Sequence, residues 1–220
     1  MPTLELERSL HRLGQVLLAG VDEVGRGALA GPVMAGAVIL PPDLDPSAPW
    51  LRGIDDSKKL TPLQREQADL EIREKALAVS IGEAGPEEID RHGIVAATRL
   101  AMLRAVRGLS PQPQHLLVDY LSLDEVGLPS TPVTRGDSLS CSIAAASIVA
   151  KVARDRLMCR TTNHWPGYGF HQHKGYATPT HLRQLFRLGP APIHRFTFAP
   201  VRRARLYHPK PNICLPAEAV

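Results

Sequence analysis

The chain has few cysteines, and their positions exclude a disulfide framework. Its 220 residues include three cysteines, at positions 141, 159 and 214, and no CxxC pair. If residues 140–160 form one helix, Cys141 and Cys159 lie about 27 Å apart at 1.5 Å per residue, which is too far for a disulfide. We therefore expect a reduced, cytoplasmic protein.

Long apolar runs and strong charge are also absent. No stretch of about 18 apolar residues is free of charge, so we predict no membrane span. Glu5, Glu7 and Arg8 occupy the region where a signal peptide would need an apolar core. The formal net charge of +4 is mildly basic, and it tolerates a polyanionic partner without requiring one. At 44% hydrophobic residues, the chain can bury one full core.

The order of apolar patterns indicates a mixed α/β sheet flanked by helices. Strands are predicted at residues 16–23, 32–40, 76–84 and 116–119. The glycine-rich turn between the first two strands favours antiparallel pairing. Helices are predicted at residues 62–75, 94–106, 143–152 and 180–188. The segment at 143–152 is apolar nearly all round, so it should be a buried helix.

Acidic residues occur where several of these elements begin or end. Asp22 and Glu23 close the first strand, Asp119 closes a later one, and Asp137 precedes the buried helix. Taken singly, Asp119 or Asp137 is better explained as an ordinary strand-end or helix-cap acid. Four converging carboxylates would repel one another and raise one another's pKa values unless divalent cations bound between them. The group as a whole therefore favours a two-metal site of the kind that hydrolyses phosphodiesters.

The stretch Gly25-Arg26-Gly27 follows the first two acids directly. Glycine on each side of Arg26 lets the backbone approach a ligand closely or adopt positive φ. Acids at a strand end beside a glycine-rich cationic loop indicate a divalent metal facing a phosphate. The alternative is an ordinary tight turn in which Arg26 pairs with Asp22 or Glu23.

Five stretches, in this order along the chain, resemble the bacterial ribonuclease HII (type 2 ribonuclease H) family. They are DEVGRG at 22–27, DSKKL at 56–60, GDS at 136–138 running into AAASIVAKVARD at 144–155, HKGYAT at 173–178, and HRFTF at 194–198. The resemblance implies a ribonuclease H-like mixed β-sheet flanked by helices, with a helical C-terminal part. It implies one catalytic domain over residues 1–200, followed by a basic, proline-containing tail over residues 201–220.

The activity that the resemblance implies is that of a metal-dependent endoribonuclease in ribonucleotide excision repair. Such an enzyme hydrolyses the RNA strand of RNA/DNA hybrids and cuts 5′ to single ribonucleotides embedded in duplex DNA. It uses two divalent ions, Mg²⁺ or Mn²⁺, and leaves a 3′-hydroxyl and a 5′-phosphate. Its implied partners are these two kinds of duplex and no membrane, and we expect a monomer.

Site residues are implied by matching position. The catalytic metal ligands would be Asp22, Glu23, Asp119 and Asp137. The residues that recognise the ribonucleotide and its junction with DNA would be Gly25, Arg26, Gly27 and Tyr176. Apart from the resemblance, Ser57, Lys58 and Lys59 are candidates for contact with substrate phosphates, and an exposed basic turn is the alternative. In this family a glycine usually follows the third acid, where this chain has Tyr120, and a lysine usually precedes Gly136, where it has Arg135.

Other interpretations stay open at this point. A basic nucleic-acid-binding module with structural acids would keep its binding in EDTA, and a two-metal junction resolvase of the same fold would not need ribose. A zinc site at His164, His171, His173 and Cys159 is disfavoured because the spacing matches no common zinc pattern. For Lys151, Arg154 and Arg156 we favour a solvated helix end over contact with nucleic acid.

Overall fold

The computed structural model describes residues 1–208 of the chain. Its strands are β1 (Leu18–Val24), β2 (Val33–Ile39), β3 (Ala78–Ala84), β4 (His115–Asp119) and β5 (Ser130–Val133). Its α-helices are α1 (Glu5–Arg12), α2 (Pro62–Lys75), α3 (Pro86–His92), α4 (Ile94–Arg107), α5 (Gly136–Leu139), α6 (Cys141–His164), α7 (Phe170–His173), α8 (Pro179–Leu188) and α9 (Ala199–Tyr207). None of these helices is long and apolar enough to cross a membrane.

The five strands form one mixed sheet in the order β3-β2-β1-β4-β5. Strand β1 pairs antiparallel with β2, as predicted, and parallel with β4. The β1–β4 register pairs Val21 with Val118, so Asp22 and Asp119 are the next residues on two neighbouring parallel strands. The mixed α/β sheet predicted from the sequence is confirmed.

The first half of α6 packs directly on the middle of the sheet because two strand residues lack side chains. A Cβ added to Gly20 would lie 2.0 Å from the carbonyl carbon of Ser142, and one added to Gly36 would lie 2.3 Å from the carbonyl oxygen of Ala146. The alanines at 144–146 are fully buried against this surface. The contact holds β1, and with it the first two acids, against a rigid helix.

By its contacts the chain divides into two compact units. Unit 1 comprises Met1–Val24, Met34–Glu83 and Thr98–Val152, and unit 2 comprises Gly25–Val33, Ala84–Ala97 and the described part of Ala153–Val220. One apolar cluster of unit 1 includes Val38, Ile72 and Ile148. In unit 2, one cluster surrounds Tyr168 and Phe170. The prediction of one catalytic domain over residues 1–200 stays a prediction.

The predicted boundary between domain and tail at residue 200 is wrong, because it falls inside α9. Val201 and Ala204 are fully buried and pack with Leu29 and Leu185. Their spacing of three residues places both on one face of a helix, among arginines that conceal the pattern in the sequence. The remainder of the predicted tail, residues 209–220, lies outside the described residues.

The start of helix α2, unlike the boundary at residue 200, is predicted correctly from the sequence. The Thr61 side chain accepts a hydrogen bond from the backbone N–H of Gln64, whose own side chain accepts one from the Thr61 N–H. Proline follows the cap at the first helical position, where its missing N–H costs nothing. Local chemistry therefore determines this helix start without help from the rest of the fold.

Candidate active site

Three acids meet where β1 and β4 end. Carboxylate oxygens of Asp22, Glu23 and Asp119 lie within 4.8 Å of one another. Among the residues that the structure describes, no other group of three or more His, Cys, Asp or Glu side chains is placed to share a metal. His164, His171, His173 and Cys159 belong to no such group among these residues, and the expectation against zinc stays a prediction.

Two of the three carboxylates are oriented by backbone amides. The N–H of Glu23 donates to Asp22 Oδ1 at 2.7 Å, and the N–H of Gly136 donates to Asp119 Oδ1 at 2.7 Å. The second bond ties the end of β4 to the start of α5, where Asp137 is the next residue. The arrangement is thus preorganised by main-chain amides of two elements, β1 and α5.

The electrostatics of the group show why it suits a cation. The pKa of Asp22 is raised well above its usual value, first by burial and then by the negative charges of Glu23 and Asp119. Hydrogen bonds from Ser147 and from the Glu23 amide oppose this shift but do not cancel it. A divalent ion bound by carboxylate oxygens would offset this repulsion, so the donor set fits Mg²⁺ or Mn²⁺.

Asp137 is not brought into the three-acid group. Its Oδ2 lies 3.6 Å from the Lys58 ammonium, and the Ser138 hydroxyl lies 3.4 Å from its Oδ1. Burial alone would lower the pKa of Lys58, but the charges of Asp137, Asp56 and Asp22 raise it. Lys58 therefore carries its charge between Asp137 and Asp22, and the role of Asp137 as a metal ligand stays a prediction.

The location of Ser57 argues against the phosphate contact expected of its side chain. Ser57 is only 4% exposed, and its hydroxyl lies 3.0 Å from that of Ser147. Ser147 in turn hydrogen-bonds Asp22. Ser57 therefore supports the acid group through Ser147, whereas the ammonium of Lys58 stays largely exposed.

Gly25 and Gly27, both in unit 2, have different surroundings. Gly25 has φ of +89°, and a Cβ there would lie 2.2 Å from Nε of Arg154. A Cβ on Gly27 would meet no atom within 4 Å. The carbonyls of Gly25 and Arg26 accept hydrogen bonds from Nη2 and Nη1 of Arg195, at 2.7 and 2.8 Å. The loop is therefore held from one side and open at Gly27.

The expectation that Arg154 belongs to a solvated helix end is wrong. Arg154 is fully buried, and its guanidinium donates to three backbone carbonyls. Burial lowers its pKa, and the three acceptors make burial of the charge tolerable. Arg195 is buried in the same way. Sequence reasoning missed both as loop-holding residues, although each lies in one of the five stretches.

The ring of Tyr176 is half-buried and lies against the Arg154 guanidinium, whose Cζ is 5.3 Å from the ring centroid. The predicted contact of this ring with substrate stays a prediction.

Tyr120 stands where the family usually has glycine, and the backbone conformation there accounts for that preference, since Tyr120 has φ of +62°. Glycine adopts that left-handed conformation without steric cost. Tyrosine adopts it here with its side chain exposed, and Asp119 keeps its place in the acid group.

A mixed sheet that carries clustered acids at the ends of two central parallel strands defines a metal-dependent nuclease of the ribonuclease H-like class. The Ribonuclease HII family model matches residues 19–201. Ribonuclease HII of Dehalococcoides mccartyi is 48% identical over 201 residues, covering 91% of this chain and 94% of that protein. The corresponding protein of Geobacillus thermodenitrificans is 49% identical over 201 residues, covering 91% and 75%.

Solved structures agree with this relationship. The crystal structure of ribonuclease H2 from Pyrococcus horikoshii superposes with a TM-score of 0.74 at 28% identity, covering 88% of this chain and 99% of that one. The chain belongs to the ribonuclease HII family. It is a nuclease with ribonuclease H activity on RNA/DNA hybrids, and the family uses divalent metal ions.

Proposed function

We propose that this chain cuts the RNA strand of RNA/DNA hybrids and also cuts 5′ to single ribonucleotides embedded in duplex DNA. The reaction uses two divalent ions, Mg²⁺ or Mn²⁺, and leaves a 3′-hydroxyl and a 5′-phosphate. The observation that supports it most strongly is the meeting of Asp22, Glu23 and Asp119 within 4.8 Å. These three residues would hold metal, with Asp137 as the fourth acid beside Lys58.

The residues of the chain prepare this site before substrate arrives. When bound, divalent ions activate the attacking water and stabilise the departing 3′ oxygen. The backbone amides of Glu23 and Gly136 fix the carboxylates of Asp22 and Asp119. The exposed ammonium of Lys58 lies beside this group and is available to a substrate phosphate.

Discrimination between RNA and DNA at one nucleotide depends on the 2′-hydroxyl. The open space at Gly27 lets backbone groups of residues 25–27 approach that hydroxyl. The half-buried ring of Tyr176 would pack on the adjacent deoxyribose, where an additional 2′ oxygen would crowd it. Residues 25–27 would then recognise ribose on one side of the step, and Tyr176 would recognise deoxyribose on the other.

The first test compares three duplexes with and without Mg²⁺. These are DNA with one ribonucleotide, an RNA/DNA hybrid, and all-DNA. Wild-type protein should cut the first once, on the 5′ side of the ribonucleotide, and should cut the hybrid at several positions. It should leave all-DNA intact and lose both activities in EDTA. Failure to cut the single-ribonucleotide duplex would refute the proposal while leaving hybrid cleavage in place.

The acids are expected to act as one unit through metal. Asp22→Asn and Asp119→Asn should each lower kcat by several orders of magnitude, with little change in the Kd for substrate. Ser122→Ala provides a matched control at a half-buried polar residue close to Asp119 in the chain. Near-normal turnover by Asp119→Asn would contradict the proposed site.

We also propose that the protein is a monomer and that it is cytoplasmic. Light scattering would test the first proposal, and cell fractionation would test the second.

A further inference from the structure

Arg154 is a buried cation with more partners than a packing role requires. Its Nε donates to the carbonyl of Pro32 at 3.0 Å, Nη2 to that of Ala30 at 3.1 Å, and Nη1 to that of Lys174 at 2.9 Å. Burying a guanidinium is costly unless its donors are satisfied. The three carbonyls are therefore restricted to positions in which all three hydrogen bonds can form at once.

Those three carbonyls belong to two different segments of unit 2. Residues 30–32 follow the loop at residues 25–27, which we call the ribose-reading loop. Lys174 lies two residues before Tyr176. The same side chain also approaches Gly25 so closely that any Cβ there would overlap its Nε. Arg154 therefore connects the ribose-reading loop with the segment that carries Tyr176.

The guanidinium also faces the Tyr176 ring, with Cζ 5.3 Å from the ring centroid. A cation over an aromatic face is attracted by the ring quadrupole, most strongly where water is excluded. This contact restricts where the ring can lie. One residue thus fixes both the segment that carries the ring and the ring itself.

We propose that Arg154 is a positioning residue that sets the distance between the ribose-reading loop and the Tyr176 ring. By doing so it sets the preference for a step with ribose on one side and deoxyribose on the other. The inference rests on the proposed function, because it assigns a cause to the preference for a single ribonucleotide in DNA over a continuous hybrid.

Arg195 provides the internal comparison. Its guanidinium also donates to three backbone carbonyls, those of Gly25, Arg26 and Gly31. The aromatic ring that it contacts is that of Phe198, whose centroid lies 5.2 Å from the Arg195 Cζ. Arg195→Lys should therefore slow cleavage of both substrates and change their ratio less than Arg154→Lys does, because the ring that Arg195 contacts is that of Phe198. Arg154→Lys should change the ratio, because lysine keeps the charge but cannot reproduce a planar fork to three carbonyls.

The test is a double-mutant cycle on the ratio of kcat/KM for the single-ribonucleotide duplex to kcat/KM for the hybrid. Arg154→Lys should lower this ratio about tenfold, since a displacement of about 1 Å is enough for such losses. In a Tyr176→Ala background, Arg154→Lys should lower it no further, because the residue acts through the ring. Arg160→Lys, an exposed substitution on the same helix, is the matched control. An unchanged ratio in Arg154→Lys, or additive effects in the cycle, would overturn the inference.

A measurement on the wild-type protein applies if Arg154→Lys does not fold. The side-chain Nε–H resonance of Arg154 should shift more on binding the single-ribonucleotide duplex in EDTA than on binding the hybrid. Equal shifts would overturn the inference. If wild-type protein shows no cleavage of the single-ribonucleotide duplex, the proposed function fails instead, so the two failures are distinguishable.

Discussion

At the scale of single residues, Gly25 and Gly27 are glycines for different physical reasons. Gly25 has positive φ and touches Arg154, whereas Gly27 has open space where a side chain would be. A bulkier residue at position 25 must therefore disturb the fold. A bulkier residue at position 27 would occupy open space, so it would disturb only a ligand that binds there.

These two glycines allow ribose contact to be tested separately from folding. Gly27→Ala should change the free energy of unfolding by less than about 0.5 kcal/mol, as surface substitutions usually do. It should nevertheless slow cleavage of both the hybrid and the single-ribonucleotide duplex, because a methyl group would separate the backbone from the ribose. Gly25→Ala should lower both stability and activity. Urea unfolding and steady-state rates measure the two effects, and unimpaired rates for Gly27→Ala would remove it from the ribose contact.

At the scale of elements, the parallel ends of β1 and β4 bring three carboxylates within 4.8 Å of one another. Burial, Glu23 and Asp119 together raise the pKa of Asp22 in the folded state. As pH rises above the usual aspartate pKa, the unfolded chain loses this proton while the folded chain keeps it. Without metal, stability should therefore fall with rising pH until the folded-state pKa is passed.

Metal should reverse this loss of stability. At neutral pH, Mg²⁺ or Mn²⁺ should raise the Tm of the wild-type protein, because ions that bind the folded site stabilise it. Asp22→Asn removes one charge at nearly constant volume. It should be more stable than wild type without metal and should gain less when metal is added. Thermal unfolding with and without Mg²⁺ provides the comparison, with Asp43→Asn as a control at an exposed acid. Equal Mg²⁺ responses in wild type and Asp22→Asn would place the metal elsewhere.

At the scale of the whole molecule, buried histidines in unit 2 should make folding sensitive to acid. The N–H of Ala191 donates to Nδ1 of His194, which also lies 3.2 Å from the Ala191 carbonyl, and Nε2 of His194 lies 3.2 Å from Nε2 of His181. His181 then donates from Nδ1 to the carbonyl of Tyr176. With both rings protonated, two N–H donors would face each other between these Nε2 atoms.

The pH range of this effect follows from the pKa values. Burial lowers the pKa of His181 to about 4 and that of His194 to about 3. The unfolded chain takes up protons near the usual value of about 6.5, and the folded chain does so only much lower. Stability present at pH 7 should thus decline between about pH 6.5 and pH 4, by up to about 1.4 kcal/mol per pH unit for each histidine.

Urea unfolding at pH 7 and pH 5 measures the slope. His194→Gln should flatten it, and His171→Gln, at an exposed position, should leave it unchanged. A wild-type stability that does not vary over this range would show that the buried histidines do not control it.

Several features of this protein are determined by sequence alone because they depend on local chemistry or on strand order. Thr61 and Pro62 determine where α2 begins. The apolar runs that end in Asp22 and Asp119 predict two strand ends, whereas the structure shows that β1 and β4 are parallel neighbours. The two glycines around Arg26 predict a loop rather than a continued strand.

Other features were decided only by the tertiary structure, because they depend on which groups meet across long separations in the chain. Nothing local distinguishes the buried Arg154 from the exposed Arg156, since the distinction lies in three carbonyls supplied by residues 30–32 and 174. In the same way, Asp137 meets Lys58 and Ser57 meets Ser147 through contacts about 80 to 90 positions apart in the chain. Burial of a charge or a hydroxyl is possible only where the fold brings its partners, so no pattern of neighbouring residues reveals it.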